Sequence, residues 1–109
     1  MSALDDASFA KIADGTIARL FEELEEAVGD VADVDLQEGI LTVEFEDAGR
    51  LVLNKHQPNH QIWLASSVSG AAHYDWDGER WISSRGGKPL LDQLTADLTA
   101  LAGAPVALG

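Results

Sequence analysis

From Asp5 to Val28 apolar residues recur at spacings of three and four. Phe9, Ile12, Ala13, Ile17, Leu20, Leu24, Ala27 and Val28 fall on one stripe, the period of an amphipathic helix. Asp5, Asp6 or Ser8 can cap its start, and Gly29 is placed to end it. After Gly29 the period drops to two. Aspartates alternate with apolar residues over 33–37, and Leu41, Val43 and Phe45 alternate with Thr42, Glu44 and Glu46. Glu38-Gly39 and Asp47-Ala48-Gly49 are turn signals. Further strands are expected over 50–55, 61–65, 72–76 and 80–83, with a break at Gln57-Pro58-Asn59 and a hairpin turn at Asp77-Gly78. Past Gly86-Gly87, Pro89 suits the first turn of a second helix, whose stripe is Leu90, Leu91, Leu94, Leu98 and Leu101. It ends near Gly103, and the apolar tail 104–109 is expected to fold back on the body. The order of helix, five or six strands and helix predicts an α+β two-layer sandwich. Both helices lie on one face of an antiparallel sheet, and the other face stays open to solvent.

At 109 residues the chain has room for one core, so 1–109 reads as a single domain. No apolar run approaches membrane-spanning length. The start, MSALDDASFAKIAD, lacks the basic and apolar segments of a signal peptide and the arginines of a transit peptide. With no cysteine, disulfides, thiolate nucleophiles and Cys-ligated metal sites are excluded. Together these features point to a cytoplasmic protein.

Charge narrows the partners. The net charge is −12, and residues 1–47 hold 14 of the 19 acids but only Lys11 and Arg19 among the bases. Nucleic acid and anionic lipid are therefore poor partners for this half, and a cation or a basic protein surface is the better one. From Glu22 to Asp47, 11 of 26 residues are acidic and none is basic. On a helix Glu22 and Glu26 lie one turn apart with Glu23 and Glu25 to either side, where like charges disfavour the helix by roughly 0.2–0.5 kcal/mol per pair. They also crowd the helix C-terminus, whose dipole repels anions. Asp33 and Asp35 point to one side of the first strand, and with Asp30 they extend the helix acids into one continuous anionic ridge along the sheet edge. A solubilising face would intersperse lysines instead. Carboxylates are hard ligands suited to Mg²⁺, Ca²⁺, Mn²⁺ and iron. No EF-hand spacing is present, so such a ridge binds metal openly and releases it readily.

The aromatic residues divide by strand parity. If Ile62 and Leu64 face the helices, Trp63 stands on the open sheet face beside amides and a lysine, as a docking residue would. Trp76 and Trp81 flank the Asp77-Gly78 turn and should staple that hairpin. His56 and His60 are expected in a loop, kept from helical i,i+4 geometry by Pro58, and His73 is expected on the open face. No hydrolase frame surrounds Ser66 or Ser67. Arg85-Gly86-Gly87-Lys88 lacks the spacing of a phosphate loop and reads as a strand-to-helix turn.

The segments NKHQPNHQIWLASS (54–67) and YDWDGERW (74–81), with the acidic first helix and the order of elements, resemble the frataxin family, whose bacterial members are called CyaY. The resemblance runs from about Phe9 to Leu98. It implies a non-catalytic protein of iron–sulfur cluster assembly that holds Fe²⁺ and Fe³⁺ weakly. It also implies an iron donor or sensor that docks on the cysteine desulfurase–scaffold complex and regulates it. The matching positions put Glu22, Glu23, Glu25, Glu26, Asp30, Asp33 and Asp35 in the iron-binding ridge. Asn54, Lys55, Gln61 and Trp63 would form the sheet-face patch that meets partner proteins. A monomer is implied in the absence of metal, with iron able to drive oligomers. Two positions depart from the family pattern: His56 replaces a common Gln, and Ala10 stands where some bacterial members carry a metal-ligating His. The alternative is an enzyme, a ferroxidase that oxidises Fe²⁺ and oligomerises to store it. Against it, diiron oxidation usually draws on Glu-x-x-His pairs buried in a helix bundle.

Overall fold

The computed structural model describes residues 5–46, 48–106 and 108. Asp47 of the second expected turn, the first four residues, and Ala107 and Gly109 of the tail lie outside them. Helix α1 (Asp6–Val28) leads into strands β1 (Ala32–Gln37), β2 (Ile40–Phe45), β3 (Gly49–His56), β4 (Gln61–Ser66), β5 (Gly70–Trp76) and β6 (Trp81–Ser83), and helix α2 (Leu90–Ala102) follows. All six strands form one antiparallel sheet in the order in which they occur in the chain. The expected α+β sandwich is the observed one. No helix among the described residues is long and apolar enough to cross a membrane.

Local chemistry sets the element boundaries. The Asp5 carboxylate caps α1 by accepting the Ser8 N–H at 2.7 Å, which holds its pKa below the ordinary aspartate value. Gln37 and Ile40 pair across the two-residue turn Glu38-Gly39, both of whose residues have positive φ. That turn type matches the twist of a hairpin and fixes the β1–β2 register. Gly49 opens β3 at φ 142°, where a Cβ would collide with the Ser67 hydroxyl of the neighbouring turn. The β5–β6 connection is longer than expected. Residues 77–80 form a loop in which Asp77 accepts the Glu79 and Arg80 N–H groups at 2.8 Å each, leaving Arg80 outside the strand.

The core lies between the sheet and the two helices. Phe9, Ala13, Ile17, Leu20, Leu24 and Val28 of α1 and Leu90, Leu94 and Leu98 of α2 meet Leu41, Val43, Leu51, Leu53, Ile62, Leu64 and Tyr74 from the inner sheet face. Fully burying one such side chain contributes roughly 1.5–3 kcal/mol. Ala27, expected in the α1 stripe, is exposed, because the stripe continues through Leu24 and Val28 alone. Trp76 and Trp81 pair across the hairpin with ring centroids 5.2 Å apart. Trp81 also reaches α1, donating from Nε1 to the Thr16 hydroxyl at 3.0 Å, so it ties the hairpin to the helix layer. Asp97, 1% exposed, accepts from Ser69 Oγ at 2.6 Å and Gln93 Nε2 at 2.8 Å and anchors the β4–β5 turn to α2. The tail folds back as expected: Val106 and Leu108 pack on the core.

Candidate functional site: an acidic flank and a stacked aromatic patch

The burial stripe of α1 turns Glu22, Glu25 and Glu26 to solvent and leaves Glu23 partly covered, 3.4 Å from Arg19. Asp30 is exposed in the turn that follows. Strand alternation then packs Ala32, Val34 and Leu36 inward and sends Asp33 and Asp35 to the outer sheet face. The seven residues therefore form two groups rather than one continuous ridge. The glutamates lie on the helix layer and the strand aspartates on the opposite side of the sheet, with Asp30 at the turn between them. Among the described residues no lysine or arginine pairs with Glu22, Glu25, Glu26, Asp30, Asp33 or Asp35.

Two acids absent from the expected set join the strand group. Asp33 lies opposite Glu44, and Asp30, Asp33, Glu44 and Glu46 line a shallow depression of about 240 Å³. The Glu38-Gly39 turn was the available signal, since pairing Gln37 with Ile40 puts Asp33 beside Glu44. Arg50 is the next residue across from Glu44 and moderates that end. Among the described residues no three His, Asp or Glu side chains converge tightly enough to enclose a metal ion. A cation at this surface would be held by one or two carboxylates and complete its shell with water, as hard divalent ions readily do.

The second surface lies on the same outer face, at β3–β5. Trp63 lies opposite Asn54 on β3 and His73 on β5. Its indole is sandwiched: the His56 ring stacks on it at 3.7 Å with planes 9° apart, and the His73 ring at 4.2 Å and 11°. Trp63 Nε1 donates to Gln61 Oε1 at 2.9 Å, and Gln61 Nε2 donates to Asp75 Oδ1 at 3.1 Å, so the indole is fixed in its plane as well. With the indole between them, the two imidazoles cannot share one metal ion, whose bonds to nitrogen are only about 2 Å long. His56 Nδ1 is enclosed and has no hydrogen-bond partner among the described residues.

Of the expected patch, Asn54, Gln61 and Trp63 are brought together and Lys55 is not. Asn54 and Lys55 are consecutive in a strand, so they point to opposite faces. Lys55 is in register with buried Ile62 and turns to the helix side, where its Nζ lies 3.1 Å from Asp14 Oδ1. His56 is also displaced from expectation: β3 runs through it, and it joins the stack instead of a loop. His73 is on the open face as expected. His60 is in the loop, stacked on Phe9 at 4.9 Å with Nε2 2.7 Å from Asp6 Oδ1. Asp75 was not singled out, although its parity with His73 places it on the same face.

The frataxin-like domain family matches residues 2–104. This chain belongs to that family. It is 40% identical over 107 residues to an iron–sulfur cluster assembly protein, CyaY, of Thioalkalivibrio sulfidiphilus, covering 94% of this chain and 98% of the relative. It is 39% identical over 93 residues to CyaY of Psychromonas ingrahamii, covering 85% and 87%. Among solved structures, a frataxin from Psychromonas ingrahamii superposes with a TM-score of 0.84 at 34% identity, covering 95% of this chain and 97% of that one. A trimeric frataxin from Saccharomyces cerevisiae in complex with ferrous iron gives 0.68 at 38% identity, covering 94% and 90%. The chain is thus similar to the bacterial CyaY branch of the frataxins over nearly its whole length.

Proposed function

We propose that this frataxin-like chain is a cytoplasmic, non-catalytic iron-binding protein of iron–sulfur cluster assembly. It holds Fe²⁺ or Fe³⁺ weakly at the acidic flank, delivers or senses it, and regulates a cysteine desulfurase–scaffold complex through the Trp63 patch. The observation that carries this reading is the set of exposed carboxylates from Glu22 to Asp35 that, among the described residues, no lysine or arginine neutralises, Glu23 excepted. Like charges at a helix C-terminus work against folding, and a bound cation relieves them. The relatives named for iron–sulfur cluster assembly and the yeast frataxin complexed with ferrous iron support the same assignment. Outward-facing carboxylates with no converging histidine suit loading and release. They suit a ferroxidase less, since that chemistry draws on ligands buried around paired ions.

Anaerobic titration with Fe²⁺, followed by the backbone resonances of 22–35, tests the reading. Those resonances are expected to shift and broaden in the native protein and to stay still in the variant with alanine at Glu22, Glu26, Asp30 and Asp33. Identical responses in both proteins would place iron elsewhere.

A further inference from the structure

We propose that the cleft between α1, α2 and the β5–β6 loop binds an amphipathic organic anion: a planar apolar body carrying one sulfonate, carboxylate or phosphate. The cleft encloses about 480 Å³, within the roughly 300–1,000 Å³ of small-molecule sites. Ile12, Leu91 and the partly exposed Trp76 ring supply apolar walls, and Trp81, whose N–H is already taken by Thr16, closes the floor. A planar apolar group can therefore enter without leaving that buried donor unpaired.

The rim is richer in cations than the rest of the molecule. Lys11, Arg19 and Arg80 line it, three of the seven basic residues in a chain of net charge −12. Glu79 and Asp92 share the rim and Arg19 lies 3.4 Å from Glu23, so Lys11 and Arg80 carry the attraction for an anion. Among the described residues no side chain caps the N-terminus of α2, which begins at the same rim after Pro89, though Asp92 lies in its first turn. Its free N–H groups favour an anion there.

An independent observation comes from Gly15. It sits inside a 23-residue helix, where glycine is about 1 kcal/mol worse than alanine. No turn or cap calls for it, and among the described residues nothing lies within 4 Å of where its Cβ would be. The space that a side chain there would enter belongs to the cleft. Glycine leaves the cleft open on that side, where a longer side chain would fill it.

The probe for the test is 8-anilinonaphthalene-1-sulfonate, followed by its fluorescence on the native protein and by backbone NMR shifts. Saturable one-to-one binding is expected, with shifts at 11–19, 76–81 and 89–92, and with unaltered affinity in Trp63→Ala. Gly15→Leu fills the space and Arg80→Glu inverts the rim. Each should weaken binding roughly tenfold or more, as should replacing the probe by uncharged N-phenyl-1-naphthylamine. Leucine is a better helix former than glycine, so the circular dichroism and melting temperature of Gly15→Leu should match or exceed those of the native chain. Equal affinity in both variants, shifts confined to other surfaces, or failure to saturate would each overturn the proposal.

Discussion

Trp63 has both faces of its ring occupied by imidazoles, so a partner meets its edge unless His56 or His73 swings aside. A rigid, partly exposed indole has the character of an interface hot spot, where truncation removes about 2 kcal/mol or more of binding. Trp63→Ala should weaken binding to the desulfurase–scaffold complex by that amount in calorimetry. Its melting temperature should hardly change, because the ring lies outside the core. Unaltered affinity would remove Trp63 from the docking surface. Tyr74, on the next strand but on the inner face, makes the contrasting case. Burial, with the nearby Asp97 charge adding to it, raises its hydroxyl pKa above the ordinary value. The folded state thus keeps a proton that the unfolded chain gives up more readily. The associated stability is complete below the unfolded pKa of about 10 and is lost as pH rises from there through the folded pKa. Urea midpoints measured upward from pH 9 should therefore fall less in Tyr74→Phe than in the native protein. Residue-level reading of the sequence succeeded where parity was unambiguous, as for Trp63 and His73. It failed at Lys55, where a family motif placed two consecutive strand residues on one face.

At the scale of elements, α1 carries the conflict on which the proposed function rests. Glu22, Glu23, Glu25 and Glu26 repel one another within its last two turns, and no basic residue occupies the last turn. Glu26→Lys replaces a repulsive i,i+4 neighbour of Glu22 by an attractive one and puts a cation at the C-terminal end. It should stabilise the fold by about 0.5–1 kcal/mol in urea denaturation while weakening the iron response. Loss of stability instead would mean that Glu26 has a supporting contact that outweighs the repulsion. The helices, the strand order and the β1–β2 register were legible because periodicity and a two-residue turn fix them locally. The β5–β6 loop was misread because the Asp77 carboxylate organises four residues where Asp-Gly alone suggests two. His56 was assigned to a loop because Pro58 marks a break, yet β3 continues up to the residue before Gln57. The cleft beside Gly15 left no trace in the pattern, since it arises where three elements distant in sequence meet.

For the molecule as a whole, a net charge of −12 concentrated in one part of the fold makes stability depend on the solvent. Raising ionic strength shortens the screening length from about 10 Å at 0.1 M to about 3 Å at 1 M. The melting temperature should therefore climb with NaCl, and climb further at equal ionic strength with MgCl₂. A melting temperature indifferent to salt would show that the carboxylates do not strain the fold. The strand aspartates and the Trp63 patch share the outer sheet face but are not adjacent on it. Asp33 is on β1 and Trp63 on β4, and the register sets Trp63 level with Gln37, four residues along from Asp33; three strand spacings, about 14 Å, are therefore a lower bound on their separation. That distance exceeds the physiological screening length of about 8 Å, so a cation on the flank leaves the stack electrostatically undisturbed.

Strand β1 forms one border of the sheet, and its unpaired backbone groups could recruit a strand from a second copy. Asp33 and Asp35 keep such a copy at bay by mutual repulsion. Replacing both by uncharged residues would lift the guard from the border and make self-association through it cheaper.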